Sequence, residues 1–280
     1  METKNMKSGI EDQNSFRKAW EVLLPYLLYY LAYSAAYIIL TFLQEALMQS
    51  QNEAYRRFMT KQAATVAGVT GGLGMMFGIL PILPMLKKEL RLRRDMSDQE
   101  KNRQNLAKEI LFTVIIAFAS SLGLNILLTL TGFADSSQTY REVADSQYGV
   151  AFAVGLILYG LISPLTEEVV FRGVIFNRMR RLYGPALAIV ASALFFGAFH
   201  GNMVQGVYGG CMGILMAYLY ERSGRFAVPF CFHMTANLAV YIMAYAKHLQ
   251  ERLFTPVVCG GLLALTVGCI VMERRTRTAD

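Results

Sequence analysis

The chain has 280 residues, of which 54% are hydrophobic and only 17% charged, with a mean hydropathy of +0.36. Soluble chains carry roughly 25% charge spread over their surfaces. Here the charges cluster between long apolar stretches, which excludes an ordinary soluble domain and points to an integral membrane protein. The net charge of +7 falls between apolar runs and lacks basic arms interleaved with aromatics. It reads as a topological signal, and no nucleic-acid partner is expected.

Taken in order, residues 1–20 are polar and mixed in charge. They lack the short apolar core and small-residue cleavage site of a secretory signal, so the first span is expected to be retained. A spanning helix needs about 20 mainly apolar residues. Eight candidate runs follow: Val22–Leu43, Ala63–Leu86, Ile110–Phe133, Tyr148–Thr166, Pro185–His200, Met203–Tyr220, Phe226–Tyr245 and Phe254–Met272. The fourth could continue as helix to about Arg181, which is too long for one crossing, so a break or a cytoplasmic extension is expected there. The expected fold is an all-α, polytopic transmembrane bundle with its active site among the C-terminal helices. Residues 1–105 supply two spans and a basic cytoplasmic loop, and residues 106–280 supply the bundle, with a catalytic core at about 154–245.

Lys87, Lys88, Arg91, Arg93, Arg94, Lys101 and Arg103 crowd the segment after the second run. The positive-inside rule places this segment in the cytoplasm. Arg178, Arg180, Arg181, Arg222, Arg225 and the tail arginines 274, 275 and 277 then fall on the same side, with both termini cytoplasmic. Arg141 falls outside, as do Arg56, Arg57 and Lys61, which are the discordant group. Glycines in the second run (68, 71, 72, 74, 78) and the sixth (206, 209, 210, 213) include pairs four apart, a spacing that lets helices approach closely in lipid. Pro81 and Pro84 predict a kinked end to the second run. The four cysteines, 211, 231, 259 and 269, lie inside apolar runs without CxxC spacing. They are expected to be packing residues, not disulfides or metal ligands.

Ionisable groups inside a bilayer are costly, and they usually face the bundle interior and act in function. Three pairs stand out. Glu168 and Arg172 are four apart on one helix face, with Glu167 turned about 100° away. This lets Arg172 neutralise one carboxylate and leaves the other for chemistry. Phe196 precedes His200 by one turn and could wall its ring. His233 and Asn237 share a face of the seventh run. Each pair alone reads as easily as a salt bridge, an interface residue or interhelical glue. Taken together they use two of only three histidines in the chain.

Two imidazoles and a carboxylate can hold zinc with an open position for water. Alternatively, a glutamate and a histidine can activate water without metal, and Asn237 could donate to an oxyanion. Glu167 and His200 lie roughly 23 Å on either side of the turn near Leu182–Gly184, and so are level in a hairpin. His233 lies only roughly 12 Å from Arg225 and is expected at a different depth, unless its helix begins deeper in the bundle.

The ordered set Glu167-Glu168-Val-Val-Phe-Arg172, Phe196-Gly-Ala-Phe-His200 and His233-Met-Thr-Ala-Asn237 resembles the CAAX prenyl endopeptidase and bacteriocin-processing (CPBP, or Abi) family of intramembrane proteases. The resemblance covers about Val154 to Tyr245 and implies peptide-bond hydrolysis in a membrane cavity. It implies that Glu167 activates water, assisted by His200. It further implies that Glu168 and Arg172 orient the site and that His233 and Asn237 bind a metal or steady the oxyanion. The implied cofactor is a divalent metal, zinc, held by Glu167, His200 and His233; the alternative is a metal-free glutamate-base mechanism. The expected partners are a peptide or membrane-protein substrate and the lipid bilayer, with roles in peptide or bacteriocin maturation or self-immunity. The expected location is a bacterial cytoplasmic membrane. A proton-coupled transporter and a non-catalytic scaffold or immunity protein are the competing readings.

Overall fold

The computed structural model describes residues 2–49, 52–99 and 106–278. Lys101 and Arg103 of the basic segment lie outside the described residues. Among the described residues, twelve helices account for the fold: α1 (Glu2–Met48), α2 (Glu53–Lys61), α3 (Ala63–Ile79), α4 (Leu83–Gln99), α5 (Leu106–Leu130), α6 (Gln138–Tyr148), α7 (Phe152–Tyr183), α8 (Pro185–Phe199), α9 (Met203–Ser223), α10 (Ala227–Tyr245), α11 (Lys247–Leu253) and α12 (Pro256–Thr278). No strand occurs among the described residues. Six segments are long and apolar enough to cross a bilayer, namely Ser15–Met48, Ala63–Asp95, α5, α7, α10 and Pro256–Arg275. The shorter α8 and the more polar α9 complete the eight apolar runs. The protein is an all-helical integral membrane protein.

One sequence expectation changes, and another is decided between its two alternatives. The basic segment after the second run is helical through Gln99 instead of forming a loop. Its Leu, Lys, Glu and Arg residues are good helix formers, and Glu89 and Arg93 turn inward and are buried. The fourth run passes the Glu pair with no break, as one helix to Tyr183. It accommodates its length through two π-helical stretches, Leu158–Ile162 and Val169–Phe176, which flank the α-helical Ser163–Glu168.

Wide turns free backbone carbonyls, and side chains must satisfy them in lipid. Thr166 donates to Ile162 O at 2.9 Å and Asn177 donates to Gly173 O at 3.0 Å, one near each end. At the place where the kink is expected, a 3-10 turn, Leu80–Ile82, holds Pro81 between α3 and α4.

The glycines act mainly in packing. A Cβ on Gly197 of α8 would stand 2.5 Å from Gly206 O and 3.1 Å from Gly210 N of α9. Backbone cannot yield there, so α8 and α9 meet closely because Gly197 lacks a side chain, whereas a Cβ on Gly206 would make only ordinary contact and one on Gly210 would meet nothing. The cysteines are free, as expected.

Connections on the two sides of the bundle differ. The side carrying α4 and its arginines has the turns at Gly184 and Gly224, both in positive φ. The opposite side carries three short polar helices, α2, α6 and α11, one after each of α1, α5 and α10.

Candidate active site

The two flanking π stretches present Glu167 and Glu168 on the inward side of α7, where both are buried. Arg172 is fully buried and donates through Nη1 to Glu168 Oε1 at 3.0 Å and through Nη2 to Gly213 O of α9 at 3.3 Å. Its guanidinium also lies over the Phe196 ring, 4.5 Å from the centroid. A buried ion pair holds its geometry when further hydrogen bonds and packing satisfy both partners, and α7, α8 and α9 all contribute to this one.

His233 joins the pair from α10. Its Nδ1 is 2.9 Å from Glu168 Oε1 and its Nε2 is 3.8 Å from Glu167 Oε2. Glu168 Oε1 accepts, so Nδ1 donates to it, and Nε2 is the ring nitrogen that faces Glu167. Glu167 accepts from Ser163, one turn earlier, and its Oε2 has no protein partner although buried. Glu168 is therefore fixed through Oε1 by Arg172 and His233, with its Oε2 also unpartnered, while Glu167 has no arginine bound to it and lines the cavity.

His200 caps the end of α8, with Nδ1 2.9 Å from Phe196 O. A carbonyl only accepts, so Nδ1 carries the hydrogen and Nε2 is the basic nitrogen. Phe196 sets three of these groups at once. Its ring meets His200 edge-on at 5.0 Å and His233 at 5.6 Å, with Arg172 on its face. Asn237 spends one amide N–H on Tyr159 O, at 3.0 Å. It thereby ties α10 to the first π stretch of α7.

Glu167, His200, His233 and Asn237 all line one cavity of about 220 Å³. Ser163 and Tyr159 line it as well. Neither was singled out in the sequence, although Ser163 stands four residues before Glu167, the spacing of a helix-face partner. Tyr140 and Tyr148 of α6 stand at the cavity's other end. Burial, and then the Asp135 carboxylate, pushes the Tyr140 phenol up. Burial, then Tyr140 and Tyr245, raises Tyr148 to about 12, so both phenols are neutral at ordinary pH.

The depth expected of His233 changes. Phe226, which starts α10, packs against Phe176, Ala217 and Tyr220, not beside Tyr183 at the end of α7. The α9–α10 turn therefore sits about seven residues, roughly 10 Å, further up α7 than the α7–α8 turn. That offset brings His233 level with the glutamates.

The metal set expected from the sequence is not assembled in this geometry. Among the described residues, no three His, Cys, Asp or Glu side chains come together closely enough to hold an ion. His200 reaches the cavity from the α8 end while Glu167 and His233 face one another, so the residues do not fit a three-donor centre as arranged.

Residues 149–239 match a family model described as Type II CAAX prenyl endopeptidase Rce1-like. The chain is 31% identical over 141 residues to "Putative membrane peptidase YdiL" of Bacillus subtilis (strain 168), covering 44% of this chain and 58% of that protein. It is 34% identical over 94 residues to "Membrane-embedded CAAX protease MroQ" of Staphylococcus aureus (strain USA300), covering 31% of this chain and 38% of that one. The alignments thus span about half the length of the curated relatives or less. No solved structure matches the chain.

Proposed function

From the membership of residues 149–239 in the CAAX prenyl endopeptidase and bacteriocin-processing family, we propose that the chain is a membrane-embedded endopeptidase that hydrolyses peptide bonds of hydrophobic or membrane-associated segments. One observation carries the reading. Glu167 Oε2 is buried and unpartnered and faces His233 Nε2 at 3.8 Å, on the wall of a cavity. An uncommitted carboxylate oxygen beside a basic ring nitrogen is a place where water loses a proton as it attacks.

In this mechanism Glu167 takes a proton from water and the oxygen adds to the scissile carbonyl carbon. The C–N bond then breaks, and the proton held on Glu167 passes to the departing amine. Glu168 and Arg172 position His233 and set its tautomer, and His200 Nε2 accepts a hydrogen bond from the water or the amine. Asn237 and Tyr159 hold the cavity wall. No step runs through a metal. The names of the two relatives, a membrane peptidase and a membrane-embedded CAAX protease, support the reaction class. Peptide maturation and self-immunity are roles that such a reaction would serve, in a bacterial cytoplasmic membrane with both termini cytoplasmic.

The test is cleavage of a quenched hydrophobic peptide by purified protein in lipid, before and after chelation and in the Glu167→Gln variant. Cleavage that survives chelation and is lost in the variant is the expected result. Equal turnover by the variant would refute the assignment of the base, and loss on chelation that zinc reverses would refute the metal-free step.

A further inference from the structure

The cavity is built from the ends of helices that lie away from the arginines. It reaches Asn125 and Leu128 near the end of α5, Tyr159 and Glu167 in the first half of α7, and Val240 near the end of α10. On the arginine side of Glu168 the bundle is closed. Val170, Phe171, Arg172, Val174, Ile175 and Phe176 are all fully buried. Beyond them Glu89 binds Arg178 and Arg181, and Glu221 binds Arg93 and Arg180.

The depth of the cavity follows from the length of α8. Its 15 residues reach about 22 Å, against about 30 Å of hydrocarbon. The helix stops short, and the chain turns back at Gly201 in positive φ. His200 therefore lies at the bottom of a well, below the level that the neighbouring helices reach. Above it passes α6, whose Tyr140, Ala144, Gln147 and Tyr148 line the cavity. They are spaced four, three and one apart and so form one face of the helix. That helix packs on α3 and α7 at one side and on α9 at the other, as a roof across the well.

We propose that the site takes its peptide from the face of the membrane opposite the arginine-rich end, beneath α6. By the positive-inside rule this is the non-cytoplasmic face. Its substrates are accordingly extended, uncharged stretches of exported or membrane-inserted polypeptide, presented on the outer side. The roof offers neutral phenols and an amide, which can hydrogen-bond a peptide backbone without demanding a charge. The substrate class rests on the peptidase reading, whereas the direction of access does not.

The experiment places single cysteines at Asn125 and Gln147, which line the cavity and take no part in the chemistry. A third cysteine, at Lys88, reports the arginine end. Each is exposed to a membrane-impermeant maleimide in sealed right-side-out and inverted vesicles, with the unsubstituted chain and its four cysteines as the blank. Asn125→Cys and Gln147→Cys should label at least tenfold faster in right-side-out vesicles, and Lys88→Cys at least tenfold faster in inverted ones. Labelling of Asn125→Cys only in inverted vesicles, equally in both, or in neither would overturn the proposal. So would labelling of Lys88→Cys from the outside. A quenched hydrophobic peptide added outside should be cleaved in right-side-out vesicles and at least tenfold more slowly in inverted ones. If the labelling pattern holds and no peptide is cut in either, the peptidase reading fails and the direction of access stands.

Discussion

Glutamate and arginine build both ends of this molecule, yet in opposite proportion. At the arginine end, Glu89 is shared by Arg178 and Arg181, and Glu221 by Arg93 and Arg180. In the cavity the ratio reverses: Glu167 and Glu168 stand with one arginine, and of the two carboxylates it bonds only Glu168. Where cations are in excess, Glu89 and Glu221 are each committed to two arginines. Where carboxylates are in excess, each glutamate keeps a buried oxygen without a hydrogen-bond partner, and of the two only Glu167 has no arginine and lines the cavity. The difference between a structural ion pair and a reactive one lies here in stoichiometry, not in residue type.

The contrast can be broken in graded steps. Removing the uncommitted carboxylate should have the largest effect. Glu167→Gln is expected to lower kcat about 10²- to 10⁴-fold with an unchanged melting temperature in detergent, because no cation depends on Glu167. Next comes the committed partner. Arg172→Met leaves Glu168 charged and buried, and should cost roughly 3–5 kcal/mol in denaturant or thermal unfolding. The double variant Arg172→Met/Glu168→Leu should recover most of that stability without recovering cleavage; failure to recover stability would show that Arg172 acts through Gly213 and Phe196 instead.

A packing change should weigh less. Gly197→Ala puts a methyl against the backbone of α9 and is expected to cost about 1–3 kcal/mol, lowering cleavage as His200 shifts. The smallest effect belongs to the sealed end. Arg181→Ala, at 35% side-chain exposure, leaves Glu89 still held by Arg178. It should change stability by no more than about 1 kcal/mol and leave peptide cleavage within twofold.

The apolar runs, the three polar pairs and the close glycines were legible in the sequence because each depends on spacing along one helix. Glu168–Arg172 forms at the four-residue interval that predicts it, and Glu167 is left to act separately. What escaped depends on how helices sit against one another. The depth of His233 could not be read from its distance to Arg225, since the α9–α10 turn is drawn into the bundle by Phe226. The basic segment looked like a loop because its charges suggested water, whereas Glu89 and Arg93 face inward and find partners. Asn237 resembled a free amide donor, and the Tyr159 carbonyl it binds is exposed only by a π turn that no periodicity announces.

Those two wide stretches of α7 also bear on how the chain can change length. A π turn stores a residue more than the α-helix on either side of it needs. Deleting one residue between 173 and 176 would be absorbed by letting that turn tighten, with Glu167, Glu168, Arg172 and the cavity left in place upstream. A deletion between 163 and 166 has no such reserve, and would rotate the carboxylates by about 100° relative to the first half of the helix. Tolerance to deletion along this one helix should therefore differ, greater in the wide turn beyond Arg172 and absent in the six residues 163–168.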